Sequence, residues 1–147
     1  MKTNVLILFS AAVLMITACE NNYGNSANND KLAPMQDSAN FTQIMWIDTV
    51  KNFEPIIEGE KVSLAFRFKN VGEKPLVIER VQASCGCTVP DPPKEPIAPG
   101  KESTITGVFD SHDKLGPNHK TLHVFANTKP QTEHILTFNV IVNKKQN

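Results

Sequence analysis

The most regular stretch of the chain is Val62-Ser63-Leu64-Ala65-Phe66-Arg67-Phe68-Lys69: Val62, Leu64, Phe66 and Phe68 fall on one face, and Lys61, Ser63, Arg67 and Lys69 on the other. A period of two over this length is the mark of a half-buried β-strand. Asn70-Val71-Gly72-Glu73 follows as a turn signal. Pro75-Leu76-Val77-Ile78-Glu79-Arg80-Val81 comes next, rich in β-branched residues and opened by a proline that suits a strand entry. These two strands are expected to be adjacent and antiparallel. Upstream, Phe41 to Val50 carries Ile44, Trp46 and Ile47 and predicts an opening strand, with Glu58-Gly59-Glu60 turning the chain into the alternating segment. Downstream, strands are predicted over Glu102 to Asp110, His119 to Ala126 and Glu133 to Val142, joined by turns at Gly116-Pro117 and Asn127-Thr128-Lys129-Pro130.

Five of the ten prolines lie between Pro90 and Pro99, which excludes a central strand or helix there and predicts the longest loop, closed by Pro99-Gly100. Six strands, a short seventh around the cysteines and no amphipathic helix predict an all-β chain. The expected architecture is an immunoglobulin-like antiparallel β-sandwich of about seven strands over 41–147, with a barrel as the competing arrangement.

The amino terminus follows a different pattern. Lys2 precedes an apolar run from Val5 to Ile16, about twelve residues long, against roughly twenty needed to span a bilayer as a helix. That length fits a secretory signal, residues 1–18, removed on export. Ile16-Thr17-Ala18-Cys19 resembles the lipobox of bacterial lipoproteins. The resemblance implies that Cys19 becomes the lipidated first residue and that the membrane is one partner. Three acyl chains at about 0.8 kcal/mol per buried methylene make such an anchor essentially permanent. Glu20 is not the aspartate that retains lipoproteins at the inner membrane of some Gram-negative bacteria, so the outer membrane is favoured. Residues 19–40 are polar and rich in asparagine; they cannot bury enough surface to fold and read as a flexible tether.

Composition then narrows the function classes. Forty per cent hydrophobic residues supply a core, and fifteen basic against fifteen acidic side chains give a formal net charge of zero. With no Lys/Arg cluster there is no electrostatic footprint for a phosphate backbone, so nucleic acid is not an expected partner. Neither a Gly-x-Ser-x-Gly elbow nor a phosphate-binding glycine loop occurs, which leaves hydrolase and nucleotide chemistry without support.

Several separated segments carry a family resemblance: Phe53 to Gly59, Phe66-Arg67-Phe68-Lys69-Asn70-Val71-Gly72, Pro75-Leu76-Val77-Ile78, Ser84-Cys85-Gly86-Cys87-Thr88, Ile97-Ala98-Pro99-Gly100 and Val124-Phe125-Ala126-Asn127. Together they resemble domain-of-unknown-function family number 1573 across roughly Trp46 to Val142. The most specific piece is Ser-Cys-Gly-Cys-Thr at its distance before Pro-Gly. Glu54 departs from the pattern, which has glycine after the phenylalanine. The resemblance implies an immunoglobulin-like domain of the Gram-negative envelope, often lipid-anchored; it carries no established activity.

The candidate chemistry lies in the remaining cysteines and the histidines. With Cys19 lipidated, one intramolecular pairing is left, Cys85 with Cys87. In an extended segment residues i and i+2 face one side with Cα atoms near the upper end of the disulfide range. A bridge there is strained and more easily reduced, and Gly86 helps the backbone bend. Three readings stay open: a buried or bridged structural pair, a redox pair, and a soft-metal clasp for copper or zinc needing further ligands. His119 and His123 share one side of their strand, with His112 and Asp113 in the turn before, and are weaker metal candidates. Two functions follow. One is a non-catalytic envelope lipoprotein with no cofactor, binding another envelope protein through a sheet edge or end loops. The other is an envelope thiol-redox or metal-binding protein centred on Cys-Gly-Cys.

Overall fold

The computed structural model describes residues 38–146. The expected signal peptide, lipidated Cys19 and nearly all of the tether lie outside the described residues. After a single 3-10 turn (Ser38–Asn40) come nine strands: β1 (Ile44–Trp46), β2 (Val50–Asn52), β3 (Ile56–Ile57), β4 (Lys61–Asn70), β5 (Ile78–Ala83), β6 (Thr88–Asp91), β7 (Glu102–Asp110), β8 (Gly116–Ala126) and β9 (Glu133–Asn143). The alternation read from the sequence is the burial pattern of β4: Val62, Leu64, Phe66 and Phe68 are buried, and Lys61, Ser63 and Ala65 are exposed.

Two sheets face each other, ordered β1-β4-β7-β6 and β2-β9-β8-β5, with β3 also pairing to β9. In immunoglobulin lettering these are A-B-E-D and A′-G-F-C, the two-sheet partition of that fold. Between them lie the inward side chains of both layers. Phe66, Phe68, Ile105, Phe109, Leu122, Leu136 and Phe138 have no exposed surface, and the Phe109 and Phe138 rings meet across the layers at 5.3 Å.

Four features differ from the sequence expectation. Gly116 and Pro117, expected as a turn, open β8 and pair with Val142 and Ile141 of β9. The opening segment is not one strand. β1 pairs antiparallel with β4, whereas β2 and β3 run parallel to β9 in the other sheet, so the chain changes sheets after Trp46. Asp48 drives the change: the Ile47 and Asp48 N–H groups both donate to the Arg67 carbonyl, and the Asp48 carboxylate accepts from the Arg67 backbone N–H and its Nε. A side chain thus takes the place of the next strand pair.

β4 and β5 are not neighbours either; they sit in opposite sheets. Buried Asn70 determines the crossing. Its Oδ1 accepts from Thr42 Oγ1 and the Gly72 N–H, and its Nδ2 donates to the Lys74 and Ile97 carbonyls. These bonds fold the chain over the end of the sandwich instead of back along β4. Asn127 does the same on the far side, accepting from the Val77 N–H and donating to the Asn40 and Pro75 carbonyls. Both amides are buried with their hydrogen-bonding capacity used, the condition under which a core tolerates them. Gly72 is required here because a Cβ would collide with Thr42 and the Gln43 backbone.

Finally, the proline-rich stretch holds a strand. β6 contains Pro90, and it lies at the border of its sheet, where a missing N–H removes no internal ladder bond.

Candidate functional site

The first sheet ends in two borders, and both carry sequence-predicted features. On one, β4 is paired with β1 over Asn70 to Phe68, and Arg67 is clasped by Asp48. Below that point the neighbour is gone. The Arg67 backbone groups face β1 and Asp48, so by the two-residue period the N–H and C=O groups of Ala65, Ser63 and Lys61 point the same way. Asp110, opposite Lys61 in the register, donates its N–H away from β4 to the Cys87 carbonyl, in agreement with that phase. Among the described residues no strand lies beside Lys61, Ser63 and Ala65 on this side. Their side chains are exposed, and Ser63 and Ala65 are small.

Hydrogen bonds from the Arg67 and Lys51 side chains hold Asp48 well below the usual carboxylate range, with Nε at 2.8 Å and Nζ at 3.0 Å. The clasp therefore stays ionised and fixes where β1 stops.

On the other border, β6 bonds inward to β7 through Val89 and Asp91, leaving Thr88 and Pro90 facing out. Neither offers a free donor: the Thr88 N–H is directed to the Cys85 carbonyl at 3.4 Å, and proline has none. The turn from β5 into β6 is the Cys-Gly-Cys segment, and Cys85 and Cys87 are joined by a disulfide with Cα atoms 5.2 Å apart. The extended geometry expected from the spacing does not occur, because Ser84 to Cys87 form a bend and a turn. The turn brings the Cα atoms well inside the ordinary range, not to its upper end as an extended segment would. A loop of three residues gives the bridge an entropic stabilisation of roughly 1.6 kcal/mol, against about 4.7 kcal/mol for a hundred-residue loop.

Both cysteines are half-buried and line an open depression with Asp110, His112, Asp113 and Lys114. Cys87 packs against the core, and Cys85 Sγ lies 3.6 Å from Thr88 Oγ1. The His112 backbone N–H (3.0 Å) and, more weakly, the Lys61 ammonium (3.7 Å) hold Asp110 below the ordinary carboxylate range. Thr88 follows Cys87 directly in the chain; Lys114 was not among the residues expected at this place, and the turn after β7 brings it there.

The two strand histidines are elsewhere, on the outer face of the second sheet. His119 Nδ1 is 2.6 Å from Asn139 Oδ1, and His123 Nδ1 is 2.7 Å from Glu133 Oε1. Each is engaged by β9 rather than by the other. Among the described residues no three His, Cys, Asp or Glu side chains gather as a metal site, so the weak copper or zinc candidates His119 and His123 are not brought to the cysteines. No helix of the described residues is long and apolar enough to cross a membrane.

A profile for the family described as Protein of unknown function (DUF1573) matches residues 44–142, from β1 into β9. The chain belongs to this family. The matched span of this DUF1573 domain includes the Cys-Gly-Cys turn and the β4 border. No curated protein matches the chain significantly. Among solved structures, a protein of unknown function from Porphyromonas gingivalis is similar over 71% of this chain and 49% of that one, with 16% identity and a TM-score of 0.62. This chain thus corresponds to about half of that protein. The ASH/PapD-like domain of human CEP192 is similar over 73% of this chain and 88% of that one, with 11% identity and a TM-score of 0.54. The secreted serine protease VesC from Vibrio cholerae is similar over 78% of this chain but 25% of that one, with 7% identity and a TM-score of 0.52. At these identities the likeness is one of fold.

Proposed function

We propose that this DUF1573 member is a lipid-anchored protein of the Gram-negative envelope whose sandwich is a non-catalytic interaction module, receiving an extended segment of another envelope protein along β4. The observation that carries the reading is the border from Lys61 to Ala65, which has no strand beside it among the described residues. An added strand there would gain backbone hydrogen bonds to three residues already held extended, without any catalytic group. The small Ser63 and Ala65 side chains leave a partner room to approach. Anchoring rests on the Ile16-Thr17-Ala18-Cys19 sequence, and the orientation toward the outer membrane on Glu20.

The test is a photo-crosslinking amino acid introduced at Ser63 and, as a control, at Gln82 on β5 of the other sheet, in the full chain in cells. The decisive comparison adds Ala65→Pro, which removes an outward N–H while leaving the β7 ladder intact. Expected is a discrete adduct at position 63, absent at 82 and lost with Ala65→Pro. Equal adducts at both positions, or none, would reject the edge reading. Cys19→Ala should move the protein from the membrane to the soluble fraction; a variant that still sediments with membranes would reject the anchor.

A further inference from the structure

We propose that the Cys85–Cys87 bridge is an exchangeable disulfide that oxidises a protein dithiol of the Cys-x-x-Cys kind, with the Thr88 hydroxyl stabilising the thiolate released at Cys85. The inference concerns the opposite border of the sheet and does not rest on strand addition at β4.

Three observations carry it. First, the bridge joins residues two apart in one turn and ties no two elements together. The flanks are held without it. The Ser84 N–H donates to the Thr121 carbonyl and the Asp110 N–H to the Cys87 carbonyl, each at 2.9 Å, and the Thr121 N–H donates to Ser84 Oγ at 3.1 Å. Opening the bridge is therefore a local event. Second, both cysteines belong to the lining of an open depression, where an incoming thiolate can reach them, unlike a core disulfide. Next to it Val89 and its cross-strand partner Val108 are exposed apolar side chains that offer footing to a protein rather than to a small thiol.

Third, the two sulfurs differ. Cys87 packs against the core, which penalises a charge. Cys85 has the buried Thr88 hydroxyl 3.6 Å away, able to donate to a sulfur anion. The better leaving group is the better-stabilised thiolate. The partner's first thiolate accordingly attacks Cys87 Sγ, the Sγ–Sγ bond breaks and Cys85 leaves as the thiolate. The partner's second thiolate then attacks its own sulfur in the mixed disulfide and releases Cys87. The partner ends as a disulfide and this chain as two thiols, with two electrons transferred and the two protons of the partner dithiol balanced by those of the new pair.

The experiment treats the full mature chain under native conditions with dithiothreitol, then with a reduced synthetic Cys-x-x-Cys peptide, and counts alkylated thiols by intact mass while circular dichroism monitors the fold. Expected are two new thiols per chain with an unchanged spectrum, and one peptide disulfide formed per bridge opened. Thr88→Val should slow peptide oxidation about tenfold, the loss of one hydrogen bond to a charged group, and Thr88→Ser should restore it. In single-cysteine variants, Cys85 (in Cys87→Ser) should be alkylated at lower pH than Cys87 (in Cys85→Ser), a readout that does not depend on Thr88→Val folding. A bridge that opens only in denaturant, a spectrum lost on reduction, or Cys87 reacting at the lower pH would each overturn the proposal.

Discussion

The two borders of the first sheet are built from opposite materials. Along β6 the outward positions are Thr88, whose N–H is directed into the cysteine turn, and Pro90, which has no N–H. Along the lower half of β4 they are Lys61, Ser63 and Ala65, with nothing beside them among the described residues. Folded proteins blunt exposed borders because an unpaired row of donors and acceptors recruits other strands. This domain blunts one border and, on the other, relies on Lys61 alone. The contrast teaches that the two borders differ in their donors: outward N–H groups are withheld along β6 and, among the described residues, left without a neighbouring strand along the lower half of β4.

The largest way to break the contrast is to remove what both borders share. Phe109 is wholly buried and lies opposite Val62 of β4 and Thr88 of β6. Phe109→Ala is expected to cost about 3–5 kcal/mol and to raise amide exchange in β4 and β6 together. Urea unfolding with exchange mass spectrometry checks both parts; a rise confined to one strand would show that the borders do not share a core.

A smaller change separates them. At Gly107 a Cβ would sit 2.9 Å from the Val89 carbonyl oxygen, so Gly107→Ala should push β6 away at a cost of roughly 1–3 kcal/mol. Exchange should then rise in β6 and stay unchanged over Lys61 to Ala65. Smaller still in stability, Pro90→Thr returns an outward N–H to the closed border. Unfolding free energy should move by no more than about 0.5 kcal/mol, while sedimentation velocity should reveal new self-association; a strictly unchanged sedimentation coefficient would mean that the proline does not guard the strand.

A pH-dependent effect probes the second sheet instead. His134, in β9, is buried; its Nε2 lies 2.8 Å from Thr128 Oγ1, which itself donates to the Gln131 carbonyl. The imidazole is therefore the donor of that pair, and Nδ1 faces Gln131 Nε2 at 3.3 Å. Burial pushes its pKa below the ordinary histidine value. A depressed folded-state pKa means that the unfolded chain takes up the proton first. The stability tied to neutral His134 is thus complete above about pH 6.5 and falls away as pH drops toward the folded value. The slope can reach about 1.4 kcal/mol per pH unit at most. Urea midpoints from about pH 7.5 to about pH 5, a range that brackets the ordinary histidine value, should show it, and His134→Gln should flatten it; an unaltered slope would assign the acid sensitivity to other groups.

What could be read from the chain beforehand followed the strength of local patterns. β4, β7 and β9 stand where alternation and turn residues put them, because each buries one face and its side-chain period cannot slip without exposing that face; β8 starts three residues earlier than expected, since Gly116-Pro117 reads as a turn but pairs with β9. The partition of β4 and β5 between sheets was hidden, since Asn-Val-Gly-Glu reads as a hairpin turn until Asn70 is seen bonded to Lys74 and Ile97. β2 and β3, three and two residues long, are too short for any periodicity. β6 was masked by Pro90, whose rule forbids central strands but not marginal ones. Of the candidate site, Cys85, Cys87 and the adjoining Thr88 were visible by residue type and spacing, but the Asp110 to Lys114 rim depends on pairing between distant segments.

The change of sheets after Trp46 also bears on mechanics. A pull arriving from the amino-terminal side meets β1 lying lengthwise on β4, then β2 and β3 lying lengthwise on β9, where Thr49 accepts from Thr137, Phe53 donates to Asn139 and Glu58 donates to Asn143. Tension along that line loads these bonds side by side, in shear, rather than opening them one after another like a zip, and the leading segment grips both layers of the domain at once.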